Sequence, residues 1–421
     1  MRKFKIIPIL IAVALFMNIF MPLARADELP EFLAEVAFLA EAESGTVLFE
    51  SNADVRRAPD SLAKLMTLLL AAEAVESGRI VAAEVMDNLY ATILGSDDEA
   101  CDAVAVTVAG SVEDFVAAMN DRAAVLGCRN TLFVNTTGAA DARQYTTARD
   151  LYYIAREGAK HAIFVQVAGA RSYDGKSNTN YILEPDREKY YYRHCVFGKV
   201  SATYENGYGA VEYAERDGMN TVAIILGAAA VTLEDQSTEM QNLTEARRLL
   251  EWGHANYSWV TALSTIDLVA RAEVLYGDGA DFVNLRPQSE IVLLLKNDLT
   301  AGELVREIRI FSEESGEPLS APIEEETVLG EIAVLRGGTE LGRVPLVAVA
   351  EVRQMKLKYL QAQLKEALSS PVVVAIIVVV ALILLVYIVL IVRYQALRAK
   401  HAKELAARRA RAQAEIAARE E

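Results

Sequence analysis

Ser61-Leu62-Ala63-Lys64 sets a hydroxyl and an amine three residues apart at the head of a long apolar run, Leu62 to Val75. On a helix, residues at that spacing share a face. A lysine desolvated there can lose its proton near neutral pH and take one from the serine. The pair is therefore a candidate nucleophile and base for acyl transfer. A helix N-terminus beside it would offer backbone N–H groups and partial positive charge to an oxyanion. The same four residues also fit a capping serine with a surface lysine, and chance alone places several such patterns in a chain of 421 residues.

Other chemistries have less to build on. Cys101, Cys128 and Cys195 show no metal-ligand spacing, and an odd number does not make a disulfide framework. His161, His194, His254 and His401 lie far apart, and no H-E-x-x-H pattern occurs. The sequence thus argues against a metal hydrolase, and no metal or cofactor is expected.

The elements that must position Ser61 and Lys64 read as mixed. Val36 to Leu39 and Thr46 to Phe49 flank Glu43-Ser44-Gly45 as a hairpin. Leu62 to Val75, Val104 to Leu126 and Thr147 to Ala159 carry helical apolar patterns, and Thr221 to Gly227 suits a buried strand. Strands at both ends with helices between predict an α+β layer fold for residues 27–257. Residues 258–352 alternate short strand-like runs with turns and predict a small all-β C-terminal domain. Residues 353–370 read as a polar linker helix.

Both ends carry address signals. Arg2, Lys3 and Lys5 precede an apolar run to Leu23, and Ala24-Arg25-Ala26 fits a signal-peptidase site, so residues 1–26 are expected to be a signal peptide; the alternative is an uncleaved anchor. Residues 371–392 are 22 uncharged residues, enough to cross a ~30 Å hydrocarbon core as one transmembrane helix. Basic residues Arg393 to Arg411 follow, which predicts a cytoplasmic tail, residues 393–421, and an extracytoplasmic position for residues 27–370. That tail is either a plain stop-transfer flank or a site for a cytoplasmic partner or anionic lipid headgroups. The signal segment and the tail each carry +4, so the total of −16 leaves −24 in the middle. This charge argues against nucleic acid as a partner.

Several stretches resemble the low-molecular-weight penicillin-binding proteins, the serine-type D-Ala-D-Ala carboxypeptidases of peptidase family S11. They include AESGTVLFESNADVRRAPDSLAKLMTLLLAAEAV, VAGSVEDFVAAMNDRAAVLGCRNTLFVNTTG, YTTARDL, NTNYIL, the run Phe197 to Gly227, LLEWGHANY and SAPIEEETVLGEIAV. They cover about residues 35–352 in the family's order. The resemblance implies a β-lactamase/DD-peptidase-like catalytic domain, an antiparallel sheet with helices. It implies removal of the terminal D-Ala from peptidoglycan stem peptides through an acyl-enzyme on a serine, with β-lactams as covalent inhibitors, at a bacterial cell membrane. Three motifs line the family's cleft, S-x-x-K, S-x-N and K-T-G. Carried over, Ser61 is nucleophile, Lys64 its base and Ser96 the relay serine. Asp98, Lys199, Val200 and Ser201 fall at the substrate-binding positions.

The chain departs from the pattern at three of these. Asp98 replaces asparagine, Val200 threonine and Ser201 glycine. An ionised Asp98 only accepts hydrogen bonds. It would draw Lys64 or Lys199 into an ion pair and repel a substrate carboxylate. Val200 lacks a hydroxyl for that carboxylate, and Ser201 adds a side chain beside the strand. The stretch Val81 to Leu94 is also shorter than in the family, which would open or unsettle the cleft. Two readings follow: a divergent carboxypeptidase, or a catalytically degenerate relative that binds wall peptide or another protein. A β-lactamase would need neither the second domain nor the anchor. Tyr190 to Tyr192 reads as packing, Glu324 to Glu326 as a solvated turn and Arg149-Asp150 as a helix start.

Overall fold

The computed structural model describes residues 31–203, 205–232, 238–299 and 303–417. The predicted signal segment, residues 1–26, lies outside the described residues. The chain divides into two compact units, Met1–Val260 with Val292–Glu303, and Thr261–Ile291 with Leu304–Glu421.

The first unit begins with β1 (Val36–Glu41), β2 (Val47–Ser51), a 3-10 turn (Asp60–Ala63) and α1 (Lys64–Glu76). Then come α2 (Met86–Leu94), α3 (Asp98–Ala109), α4 (Val112–Leu126), α5 (Ala148–Gly158) and α6 (Ala162–Ala168). A short hairpin, β3 (Ser172–Tyr173) and β4 (Lys176–Ser177), leads to β5 (Cys195–Thr203), β6 (Gly207–Arg216) and β7 (Met219–Ala228). The unit continues through β8 (Ala230–Thr232), β9 (Thr238–Met240) and α7 (Gln241–Asn256). Five strands form one antiparallel sheet in the order β2-β1-β7-β6-β5.

Both faces of this sheet are covered. On β1, Val36, Phe38 and Ala40 enter one core cluster with α1 to α6, while Ala37 and Leu39 enter another with α7. On β7, Val222 and Ile224 face the first cluster and Ala223 and Ile225 the second. A strand buried on both faces reads as a continuous apolar run, which is why Thr221 to Gly227 stands out in the sequence. Helix α1 lies deep in the first cluster, with every residue from Lys64 to Ala72 buried. A helix apolar all round is a core helix. Each fully buried leucine on it contributes about 1.5–3 kcal/mol.

The expected helix Val104 to Leu126 is two helices. Gly110 takes φ 85° and ends α3, and Ser111 caps α4 by accepting from the Asp114 amide. The short stretch Val81 to Leu94 is well packed, with Leu89, Ile93 and Leu94 buried in the first cluster.

Next in the chain are β10 (Tyr257–Leu263), β11 (Ala270–Leu275), β12 (Phe282–Pro287), β13 (Ile291–Lys296) and β14 (Leu304–Ile310). After these come α8 (Phe311–Ser315), β15 (Leu319–Ser320), β16 (Val328–Arg336) and β17 (Thr339–Ala348). The second unit holds a six-stranded sheet, β14-β16-β17-β12-β11-β15, in keeping with the β-rich reading. Residues 292–303, expected in that β domain, cluster with the first unit instead, and Leu294 joins its second core cluster. Helix α9 (Lys356–Ser369) follows, and then α10 (Pro371–Ala417) runs unbroken for 47 residues. Its apolar part is long enough to cross a membrane and is not buried against the rest of the protein.

Candidate active site

Ser61 sits on the 3-10 turn that runs straight into α1, so it precedes the α-helix instead of standing on its first turn. Among the described residues its side chain has no hydrogen-bond partner. The preceding residue, Asp60, is buried in the left-handed region at φ 44°. Its carboxylate accepts from Asn206 Nδ2 at 2.9 Å and Thr203 Oγ1 at 3.3 Å, and burial raises its pKa. Gly138 packs on the same turn so closely that a Cβ there would stand 1.7 Å from the Asp60 carbonyl oxygen. Such strained residues cost about 1–3 kcal/mol each and cluster at working sites.

Lys64 is 1 % exposed. Its Nζ donates to Asp98 Oδ1 at 2.6 Å and to the Thr137 carbonyl at 2.7 Å. The ion pair expected from the Asn-to-Asp change therefore forms on Lys64, not on Lys199. Asp98 opens α3, and its side chain is 62 % exposed. Asp97 caps that helix by accepting from the Ala100 amide at 3.0 Å. Ser96, just before, takes φ 55°, the second left-handed residue at the site.

Lys199 lies on β5, which packs against the turn bearing Ser61. It too is 1 % exposed, and its Nζ donates to Ser96 Oγ at 2.6 Å. Burial first, and then the positive charge of Lys64, push its pKa down to about 7; Glu212 and Cys101 oppose that shift. Glu212, on β6, is fully buried and pushed up to about 8 by desolvation. Its Oε2 accepts from Asn180 Nδ2 at 2.8 Å, while Oε1 has no partner among the described residues.

The remaining two candidates divide between the sheet's faces. Ser201 pairs with Gly209 on the Lys199 face, where a Cβ at Gly209 would stand 2.6 Å from Ser201 Oγ and 3.1 Å from Leu62. Val200 pairs with Ala210 and packs into the opposite cluster. The structure thus brings together Ser61, Lys64, Ser96, Asp98, Lys199 and Ser201, and turns the Val200 side chain away. Asp60, Thr137 and Gly138 also build the site. The Asn135-Thr136-Thr137-Gly138 run was part of the resemblance, but nothing in its spacing announced that one of its carbonyls holds Lys64.

A cavity of about 820 Å³ lies beside α2 and α3, lined by Asp87, Tyr90, Leu94, Asp97, Glu99 and Tyr173 among others, and its lining includes none of Ser61, Lys64, Ser96, Asp98, Lys199 and Ser201. Tyr90 and Tyr173 stack at 3.9 Å, and Tyr173 donates to Asp87 at 2.6 Å.

Residues 24–88 and 82–230 match the sequence profile of the D-alanyl-D-alanine carboxypeptidase family. The D-alanyl-D-alanine carboxypeptidase DacF of Bacillus subtilis is 25 % identical over 349 residues, 76 % of this chain and 86 % of that protein. DacA of Escherichia coli is 27 % identical over 382 residues, 79 % of this chain and 89 % of that protein. The structure of penicillin binding protein 5 from Haemophilus influenzae shares the fold, with a TM-score of 0.56 at 21 % identity over 78 % of this chain and all of that one. With the three motifs gathered around one turn and the match running along the catalytic unit, the chain belongs to peptidase family S11, the D-alanyl-D-alanine carboxypeptidases.

Proposed function

We propose that this protein is a serine-type DD-carboxypeptidase that removes the terminal D-alanine from peptidoglycan stem peptides. The observation that carries this reading is the convergence of Lys64, Ser96, Asp98 and Lys199 beside the turn that presents Ser61. Ser61 Oγ attacks the carbonyl of the D-Ala-D-Ala bond. An acyl-enzyme forms as the terminal D-alanine leaves, and water then releases the shortened peptide. The backbone N–H groups at the start of α1 lie next to the nucleophile, where an oxyanion would develop. Among the described residues the Ser61 hydroxyl has no hydrogen bond to give up before it reacts. β-Lactams would acylate the same oxygen. The departures at Asp98, Val200 and Ser201 leave the nucleophile, both lysines and the relay serine in place, which favours an enzyme over a binding module.

The same reading puts residues 27–370 outside the cytoplasm, residues 371–392 across the membrane and the basic tail inside. The tail's helix continues the span, so it serves first as a stop-transfer flank, with a cytoplasmic partner or anionic headgroups as its further targets.

The test is D-alanine release from an N-acylated peptide ending in D-Ala-D-Ala, using the full chain in detergent and Ser61→Ala beside it. Release by the natural chain and its loss in the variant support the reading. No release by folded protein would overturn it.

A further inference from the structure

We propose that a pocket formed by α7, the end of β6 and residues 191–194 is a second ligand site, which takes a phosphate ester carried on a polyol or sugar. It does not depend on the carboxypeptidase reading. Tyr192 and Trp252, in its lining, belong to the core cluster on the α7 face of the sheet, whereas Leu62, beside Ser61, belongs to the cluster on the other face.

Charge marks the place. The chain is acidic, −16 in total, yet four arginines from three parts of the sequence meet here, Arg193, Arg216, Arg247 and Arg248. Among the described residues Glu251 is the one carboxylate in the lining. Four guanidinium charges thus share a wall with one negative charge.

The arginines divide by what holds them. Arg247 is a brace. Its Nε donates to Glu251 Oε1 at 2.8 Å, and its Nη1 to the carbonyls of Glu188 at 2.7 Å and Lys189 at 3.3 Å. Arg216 donates to Asp217 Oδ2 at 3.3 Å, but that carboxylate is 88 % exposed. Arg193 and Arg248 are themselves exposed and have no carboxylate within ion-pair distance among the described residues. Arg193 spends its Nε on His194 Nε2 at 2.9 Å, which leaves its two terminal nitrogens to a ligand. Arg248 acts on Glu239 through its charge, and that carboxylate is already held by Lys189 at 2.9 Å. A guanidinium is a planar fork of donors that fits two oxygens of one anion.

The floor is fixed and neutral. Tyr192 is buried, with its hydroxyl bonded to His254 Nδ1 at 2.7 Å. Burial, with Arg216 and His194 pushing the same way, holds His254 down at about 4, so it bonds there without adding charge. The positive wall is therefore presented on a rigid base, which limits the ordering cost of binding.

These features select the ligand. One carboxylate would leave most of the positive charge unanswered, whereas a phosphate monoester carries about −1.5 to −2 at pH 7. The pocket holds about 640 Å³, within the roughly 300–1,000 Å³ that takes a whole small molecule. A group attached to the phosphate therefore fits, and half-buried Tyr191 supplies it with a ring face and a hydroxyl.

Isothermal titration calorimetry on the full chain in detergent tests the site, with glycerol phosphate as the probe. The natural chain should bind glycerol phosphate and not glycerol, with an affinity that falls as salt rises. Arg193→Gln combined with Arg248→Gln should weaken binding by about tenfold or more, since each removes charged donors. Both side chains are exposed, and unchanged thermal melting shows that the variant is folded. A glycerol-phosphate oligomer separates the sources: tighter binding per phosphate than the monomer supports a repeating polymer, and equal binding supports a free ester. If neither the monomer nor the oligomer binds, if the folded double variant binds as well as the natural chain, or if acetate competes as well as phosphate, the assignment is overturned. None of these outcomes bears on Ser61, whose labelling by a penicillin tests the carboxypeptidase reading separately.

Discussion

Lys64 and Lys199 are the same residue type and equally buried, and they keep different company. Lys64 on α1 has a carboxylate and a carbonyl. Lys199 on β5 has a serine hydroxyl and a like charge nearby. Aspartate at position 98 gives Lys64 a carboxylate partner, and Lys199 has none within ion-pair distance among the described residues.

The largest expected effect comes from cutting the Lys199 arm. Ser96→Ala removes the hydroxyl that Lys199 Nζ bonds among the described residues and should lower kcat for D-alanine release by about 10²–10⁴-fold. A fall below tenfold, with the fold intact, would mean that Ser96 is not the relay serine. Next is the Lys64 arm. Asp98→Asn removes the carboxylate that pairs with Lys64 and, on the carboxypeptidase reading, a negative charge that would repel the substrate carboxylate. At 4 Å such repulsion amounts to about 1 kcal/mol in water and about 4 kcal/mol near a protein surface, so kcat/KM should rise roughly tenfold or more. An unchanged or lower value would show that the clamp is needed for turnover.

A third effect reads stability instead of rate. Glu212 is raised in the folded protein, so its contribution is fully present below its ordinary value of 4.5 and is lost as pH rises through about 8. Lys199 is lowered, so it contributes in the opposite sense, gaining as pH rises from about 7 toward 10.5. Glu212→Gln removes the first dependence and leaves the second. Its Tm relative to the natural chain should therefore be higher at pH 8.5 than at pH 5. A difference that does not vary with pH would contradict a buried, mostly neutral carboxyl. The smallest effect is expected at Val200. Its side chain faces away from the cleft, so Val200→Thr should change kcat/KM by about twofold at most, within the ~0.5 kcal/mol of substitutions remote from a functional contact. A large gain would show that β5 turns during catalysis.

Much of this was legible in the residues. β1 and β7 are buried on both faces, and such strands betray themselves as unbroken apolar runs. Helix α1 is apolar all round because it is packed all round. The break at Gly110-Ser111 was also written in the sequence, as a glycine stop followed by a capping serine, but the apolar period continues across it and hid it. Within the site, Ser61, Lys64, Ser96 and Lys199 could be placed by motif, and the Asp98 ion pair could be foreseen from charge. Which lysine it would take could not, because that depends on how α1, α3 and β5 meet. Thr137 acts through its backbone carbonyl, which leaves no signature in residue type. The face on which Val200 lies follows from the register of β5 against β6, a property of pairing that no motif states.

The central claim is that Ser61 forms an acyl-enzyme. Labelling the full chain with a fluorescent penicillin, with Ser61→Ala as its control, tests it most directly. The account predicts a covalent band on the natural chain and none on the variant. Folded natural protein that takes no label, or a variant that labels equally well, would contradict it.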